Sequence, residues 1–230
     1  MSIISFKSLN DLRVLKSDAY QSLEDGADIC EITQKLIGEI SNEAARVFGL
    51  DPITVEKHWL DIEWVPWPKV SLFNNVGIFS SSGKLQFSPM FLTTMINMYG
   101  SSVLVGILAH EVGHRMVYLW LTSQSVRLNA WENEYCADYI AGLLIRLAQC
   151  DPNGMKAFYQ EICKGGSSTH PPGKYRVLAF QCGYEMIDHH SRTVFLRNPL
   201  FATNINTRQI FTNDFMRKCL LQEVILPLRK

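Results

Sequence analysis

The chain of 230 residues carries 22 lysines and arginines against 22 aspartates and glutamates, a formal net charge of zero, with 47% hydrophobic and 19% charged residues. That balance excludes a disordered polyelectrolyte and removes the electrostatic pull that recruits nucleic acid or anionic lipid. A length of this kind suits one domain with a substantial core, and the 6 cysteines stand without CxxC pairs, which suits reduced thiols in a cytoplasmic protein better than a disulfide framework.

In chain order, Ser8 to Leu23 and Ala27 to Phe48 carry apolar residues at helical spacing, the second set running Ile29, Ile32, Leu36, Ile37, Ile40, Ala44 and Val47. The first twenty residues lack the sustained apolar core and small-residue cleavage site of a signal peptide, so a soluble protein is expected. Gly49-Leu50-Asp51-Pro52 stops the second helix. β-rich stretches follow at His58–Val65, Val70–Phe79 and Lys84–Phe87, separated by Pro66-Trp67-Pro68 and by Ser80-Ser81-Ser82-Gly83, and the last two read as a hairpin. Ser88-Pro89 opens a helix, with a hydroxyl to cap it and proline at its first position. Helices are then expected at Pro89–Tyr99, Ser102–Leu121, Asn129–Gln149, Pro152–Cys163 and Pro172–Asp188, with the loop Lys164 to Pro172 before the last. The expected fold class is α+β: a small, mostly antiparallel sheet packed on a helical body. It forms a single domain divided into N-terminal helices (1–56), the sheet (57–88), a helical body (89–190) and a C-terminal extension (191–230).

His110-Glu111-Val112-Gly113-His114 lies in the apolar run from Val103 to Leu121. Histidines at i and i+4 share one face of a helix, and a neutral imidazole nitrogen is a ligand for zinc. Glu134 follows His114 by twenty residues and stands at i and i+4 with Asp138, on a helix whose flanking positions are largely Ala and Ile. If the two helices touch, Glu134 is a third metal ligand, and a fourth position stays open for water, the mark of a catalytic zinc site. Asp138 is then placed to accept the spare N–H of a ligand histidine. The alternatives are a core helix with two hydrogen-bonded histidines and a solvated carboxylate face. Both are disfavoured, because ionisable groups among so many apolar neighbours are costly without compensation. The apolar run could not comfortably span a bilayer with His110, Glu111, His114 and Arg115 in it, so no membrane span is expected.

HEVGH, then NEYCAD, then Thr169-His170-Pro171-Pro172 with Arg176 six residues beyond the histidine, resembles the gluzincin metallopeptidases. More narrowly, it resembles the family of the CAAX prenyl protease and HtpX, over roughly Asn74 to Tyr184. The resemblance implies a zincin-like fold with one zinc ion held by His110, His114 and Glu134. It makes Glu111 the general base and Asp138 the group that orients a ligand histidine, with His170 and Arg176 at the active site. A strand at Asn74-Asn75-Val76-Gly77 would line the cleft, with Asn75 where the family usually has alanine. The membrane members of that family carry transmembrane helices around this core. This chain has none and looks like a minimal soluble version, a minigluzincin.

Glu111, next to a ligand but rotated about the helix axis, could take the proton of a metal-activated water and pass it to a leaving amine. His170, set between a Gly-Gly-Ser-Ser loop and two prolines, is the candidate donor to a developing oxyanion; alone, it would read as a surface-loop histidine. Arg176 could instead pair with Asp138 or Glu134. The expected function is a zinc-dependent endopeptidase acting on a peptide or protein substrate, with no nucleic-acid partner. The competing reading is a zinc-fold regulatory or latent protein whose extension, with Phe211, Phe215, Leu220, Leu221, Val224, Ile225 and Leu226, blocks the cleft. That extension could equally complete the core or form an oligomer interface.

Overall fold

The computed structural model describes residues 27–48, 62–64, 76–79, 83–124 and 128–190. The expected helix at Ser8–Leu23, the turns at Pro66–Pro68 and Ser80–Ser82, the cleft residues Asn74 and Asn75, and the extension from 191 lie outside the described residues.

Helix α1 (Ala27–Phe48) is followed by the short strands β1 (Ile62–Trp64), β2 (Val76–Phe79) and β3 (Lys84–Phe87). Next come α2 (Pro89–Tyr99), α3 (Ser102–Gln124), α4 (Ala130–Leu147), α5 (Asn153–Glu161) and α6 (Gly173–His190). β3 lies between the other two strands, parallel to β1 and antiparallel to β2. Its Leu85 and Phe87 are buried while Lys84 and Gln86 are partly exposed, the alternation of a strand with one face on a core.

The expectation of an α+β protein with a small, mostly antiparallel sheet is corrected here. The described protein is mostly helical, its six helices running from 9 to 23 residues. The strands contribute 3, 4 and 4 residues. The reason is that the helices bury their apolar faces on one another, while β1 and β2 are paired along β3, which ends at Ser88-Pro89, where proline has no N–H to donate. The rest of His58–Val65 and Val70–Phe79 lies outside the described residues.

The Ser88 hydroxyl accepts from the Phe91 N–H at 3.3 Å, capping α2 with proline in its first turn. Asn129 and Glu132 form a reciprocal capping box that starts α4, satisfying two amide donors that helix geometry otherwise orphans. Every residue of α4 from Glu134 to Ile145 is buried, so this helix is central, with its most extensive contacts to α6 and α3. Two glycines let α4 and α6 touch. A Cβ at Gly142 would collide with the Phe180 carbonyl oxygen, and one at Gly183 with that of Tyr139. Fully buried Tyr139, Tyr159, Phe180, Leu36, Ile40 and Leu92 fill the surrounding core.

Gly142→Ala should therefore destabilise the protein by roughly 1–3 kcal/mol through overpacking. Gly38→Ala, in the interior of α1 with nothing within 4 Å of a new Cβ, should instead stabilise it by about 1 kcal/mol. Urea melts of both variants check the pair; equal midpoints would mean that the α4–α6 crossing is looser than described.

Candidate metal centre

α3 presents His110 and His114 to α4, which presents Glu134 and Asp138 in return. The two helices can approach because Gly113 has no side chain: a Cβ there would lie 2.9 Å from Ala137 Cα and 3.0 Å from its carbonyl oxygen. The i and i+4 histidines of one helix thus meet the i and i+4 acids of the other.

The Nε2 atoms of His110 and His114 are 3.0 Å apart. Glu134 Oε2 is 3.5 Å from His110 Nε2, and its Oε1 is 3.2 Å from His114 Nε2. Ligands on a tetrahedral ion with bonds of ~2.0–2.1 Å stand ~3.3 Å apart, and these separations bracket that value. The outer nitrogens are spoken for: His110 Nδ1 lies 2.8 Å from Asp138 Oδ1, and His114 Nδ1 lies 3.2 Å from Asn133 Oδ1. A neutral ring that gives its Nδ1 proton to an oxygen turns an Nε2 lone pair inward; the Arg176 guanidinium stands beside this group, with Nη2 3.2 Å from His110 Nε2 and 3.2 Å from Glu134 Oε2. Glu134 Oε2 is buried and, apart from these ion-pair approaches, makes no hydrogen bond. His110, His114 and Glu134 form a group that could hold a metal ion, with ligand atoms all within 4.8 Å of one another.

The charges behind the site are tightly engaged. Arg176, on α6, donates from Nε to Asp138 Oδ2 at 2.9 Å and from Nη2 to Asp138 Oδ1 at 2.8 Å. Its Nη2 also approaches Glu134 Oε2 at 3.2 Å, and its guanidinium lies 4.6 Å from the Tyr159 ring centroid. Burial alone would raise the Asp138 carboxyl, but Arg176 and His110 outweigh it and hold the group below its usual range. Burial works the same way on Glu134, and hydrogen bonds from His110 and His114 overturn it, holding the carboxyl far below the ordinary range. For His110 burial disfavours the charged ring, yet Asp138 prevails and lifts it to about 9. Burial and the Asp138 charge push Tyr159 well above its ordinary value, so its hydroxyl remains a donor. Burial likewise pushes the Cys136 thiol up, which suits a small core filler between Glu134 and Asp138.

Glu111 is 7% exposed; among the described residues it has no ion-pair or hydrogen-bond partner. His170 lies in the loop before α6 with its side chain 51% exposed, its Nε2 3.6 Å from Glu134 Oε1. The Ser167 hydroxyl accepts from the amides of Thr169 and His170 at 3.2 and 3.0 Å, and the Thr169 hydroxyl meets His170 Nδ1 at 2.9 Å. Gly166 adopts φ 63°, where a side chain would also press on Pro172 N and His170 O. The Trp131 indole donates to Ser167 O at 3.0 Å and ties the loop to the first turn of α4. Val76 and Gly77 lie in β2, which packs against α3.

The structure thus brings together His110, His114, Glu134, Asp138, Arg176 and His170. Two participants carry no role in the sequence reading. Asn133, which backs His114, could have been found from its place beside Glu134. Tyr159 could not, since nothing in its spacing links it to Asp138, 21 residues before it. Comparison with protein-family models, with curated proteins and with solved structures gives no match.

Gly113→Ala should force α3 and α4 apart and cost roughly 1–3 kcal/mol of stability, while also weakening metal binding. Titration against a chromophoric chelator reads the second effect; unchanged affinity would show that the site does not need this contact.

Proposed function

We propose that this chain is a zinc-dependent endopeptidase. The observation that carries the reading is the meeting of two imidazoles and a buried carboxylate, with ligand atoms all within 4.8 Å of one another and Glu111 one residue from His110. Two nitrogens and an oxygen suit zinc, and three protein ligands leave the coordination pattern of a catalytic site. The resemblance of the HEVGH, NEYCAD and THPP elements to the gluzincins points the same way. When bound, zinc supplies Lewis acidity that brings the pKa of water toward ~7.

The chain's own groups would do the rest. Glu111, buried and unpaired among the described residues, accepts a proton from the attacking water. The water oxygen bonds to the peptide carbonyl carbon, the C–N bond breaks, and Glu111 returns the proton to the leaving nitrogen, giving an acid and an amine. His170, half-exposed at the rim, donates to the carbonyl oxygen as negative charge develops there, and one such donor contributes ~3 kcal/mol. Asp138 and Asn133 keep the ligand rings turned. Among the described residues β2 pairs with β3 alone and lies at the edge of the sheet, so an extended peptide could add its main chain beside Val76 and Gly77. Among the described residues no helix is long and apolar enough to cross a membrane. The proposed substrate is a peptide or protein, and the scattered cysteines without CxxC pairs favour the cytoplasm as its setting.

A peptide-library digest should yield cleavage that a chelator removes and added zinc restores. Glu111→Ala should abolish cleavage, a loss of at least ~100-fold, while zinc content and the circular dichroism spectrum stay as in the parent. His110→Ala and Glu134→Ala should lose zinc as well. Cleavage by clean Glu111→Ala protein would remove this residue as the base, and one equivalent of zinc in the other two would remove the ligand set.

A further inference from the structure

Asp138 is the most heavily bonded acid of the site: it is 0% exposed, and four approaches reach it from three helices. His110 Nδ1 comes from α3 at 2.8 Å, and Arg176 comes from α6 through Nε and Nη2 at 2.9 and 2.8 Å. The shortest is the Tyr159 hydroxyl, from α5, donating to Oδ1 at 2.6 Å. Arginine alone fixes the plane of the carboxylate. The same guanidinium also touches the His110 ring, its Nη2 3.3 Å from Nδ1 and 3.2 Å from Nε2. The tyrosine hydroxyl holds Oδ1 from a third direction.

Tyr159 is well suited to the task, since its own freedom is gone. The residue is fully buried, with its ring packed edge-on against Phe180 at 5.9 Å and tilted against Phe158 at 5.7 Å, while the Arg176 guanidinium covers one face. A Cβ on Gly173 would strike the Tyr159 carbonyl oxygen, so the start of α6 rests on the tyrosine backbone.

Resting on the zinc reading above, we propose that Tyr159 is a positioning residue for the metal: through Oδ1 of Asp138 it holds the His110 ring with Nε2 aimed at the ion. Partners one bond removed from a ligand are worth on the order of 10–100-fold in metal affinity, and Tyr159 stands one bond further out.

The test is zinc affinity, read by competition with a chromophoric chelator on the full chain. Tyr159→Phe keeps the ring and deletes the hydroxyl, and should weaken zinc binding about ten-fold. In an Asp138→Asn background the same change should add nothing, because the route through Asp138 is already broken. Leu36→Ala, which opens a cavity on α1 among none of the site's contacts, should lower the melting temperature and leave the zinc Kd within two-fold of the parent. If Tyr159→Phe fails to accumulate as folded protein, Tyr159→Met, also without a hydroxyl, takes its place in the same comparison. Parent-like zinc affinity in the hydroxyl-free variant overturns the role of Tyr159, as does an undiminished effect in the Asp138→Asn background. A parent chain that binds no zinc overturns the metal reading itself, and the parent titration reveals that outcome separately.

Discussion

Gly113 lies against the backbone of Ala137, and the geometry of the centre follows from this one close approach. Packed helices usually keep their axes ~8–10 Å apart, a distance set by the side chains between them. At Gly113 the intervening side chain is a hydrogen atom, so the main chains of α3 and α4 nearly touch. Four polar side chains, His110 and His114 on one helix and Glu134 and Asp138 on the other, are thereby forced into one small volume. A bulkier residue would leave the same groups present and unable to meet.

Bringing acids and imidazoles into a core is costly unless every one is compensated, and the surrounding architecture supplies that compensation. Arg176 answers Asp138 with two bonds and approaches Glu134, while Asn133 and Asp138 take up the outer nitrogens of the two histidines. The Glu134 Oε2 atom, buried without a hydrogen bond, has the Arg176 guanidinium 3.2 Å away as its counter-charge. His110, His114 and Glu134 form a group that could hold a metal ion, their ligand atoms all within 4.8 Å of one another.

Around this rigid centre the protein places its exposed pieces differently. His170 is carried by a loop, yet the loop is tethered: the Ser167 hydroxyl organises its turn, Gly166 supplies the left-handed backbone, and Trp131 pins it to the start of α4. A half-exposed side chain is thus held at the rim by local hydrogen bonds, without burial. The same central helix that provides Glu134 also anchors the rim, so a change in the setting of α4 would be felt at both places.

The histidine pair, the acid pair, the capped start of α2 and the apolar faces of the helices were all legible from spacing, because helical periodicity is a local property of the chain. The place of β1 was not: that it pairs parallel to β3, on the side away from β2, depends on contacts no local pattern encodes. Composition also revealed nothing of Tyr159, whose contact with Asp138 depends on where α5 packs. By itself the sequence determined which groups could be metal ligands and on which helical faces they stand, since both follow from residue type and the 3.6-residue turn. Only the tertiary structure decided that those faces meet and which neighbours hold them in place, because both depend on contacts between residues far apart in the chain.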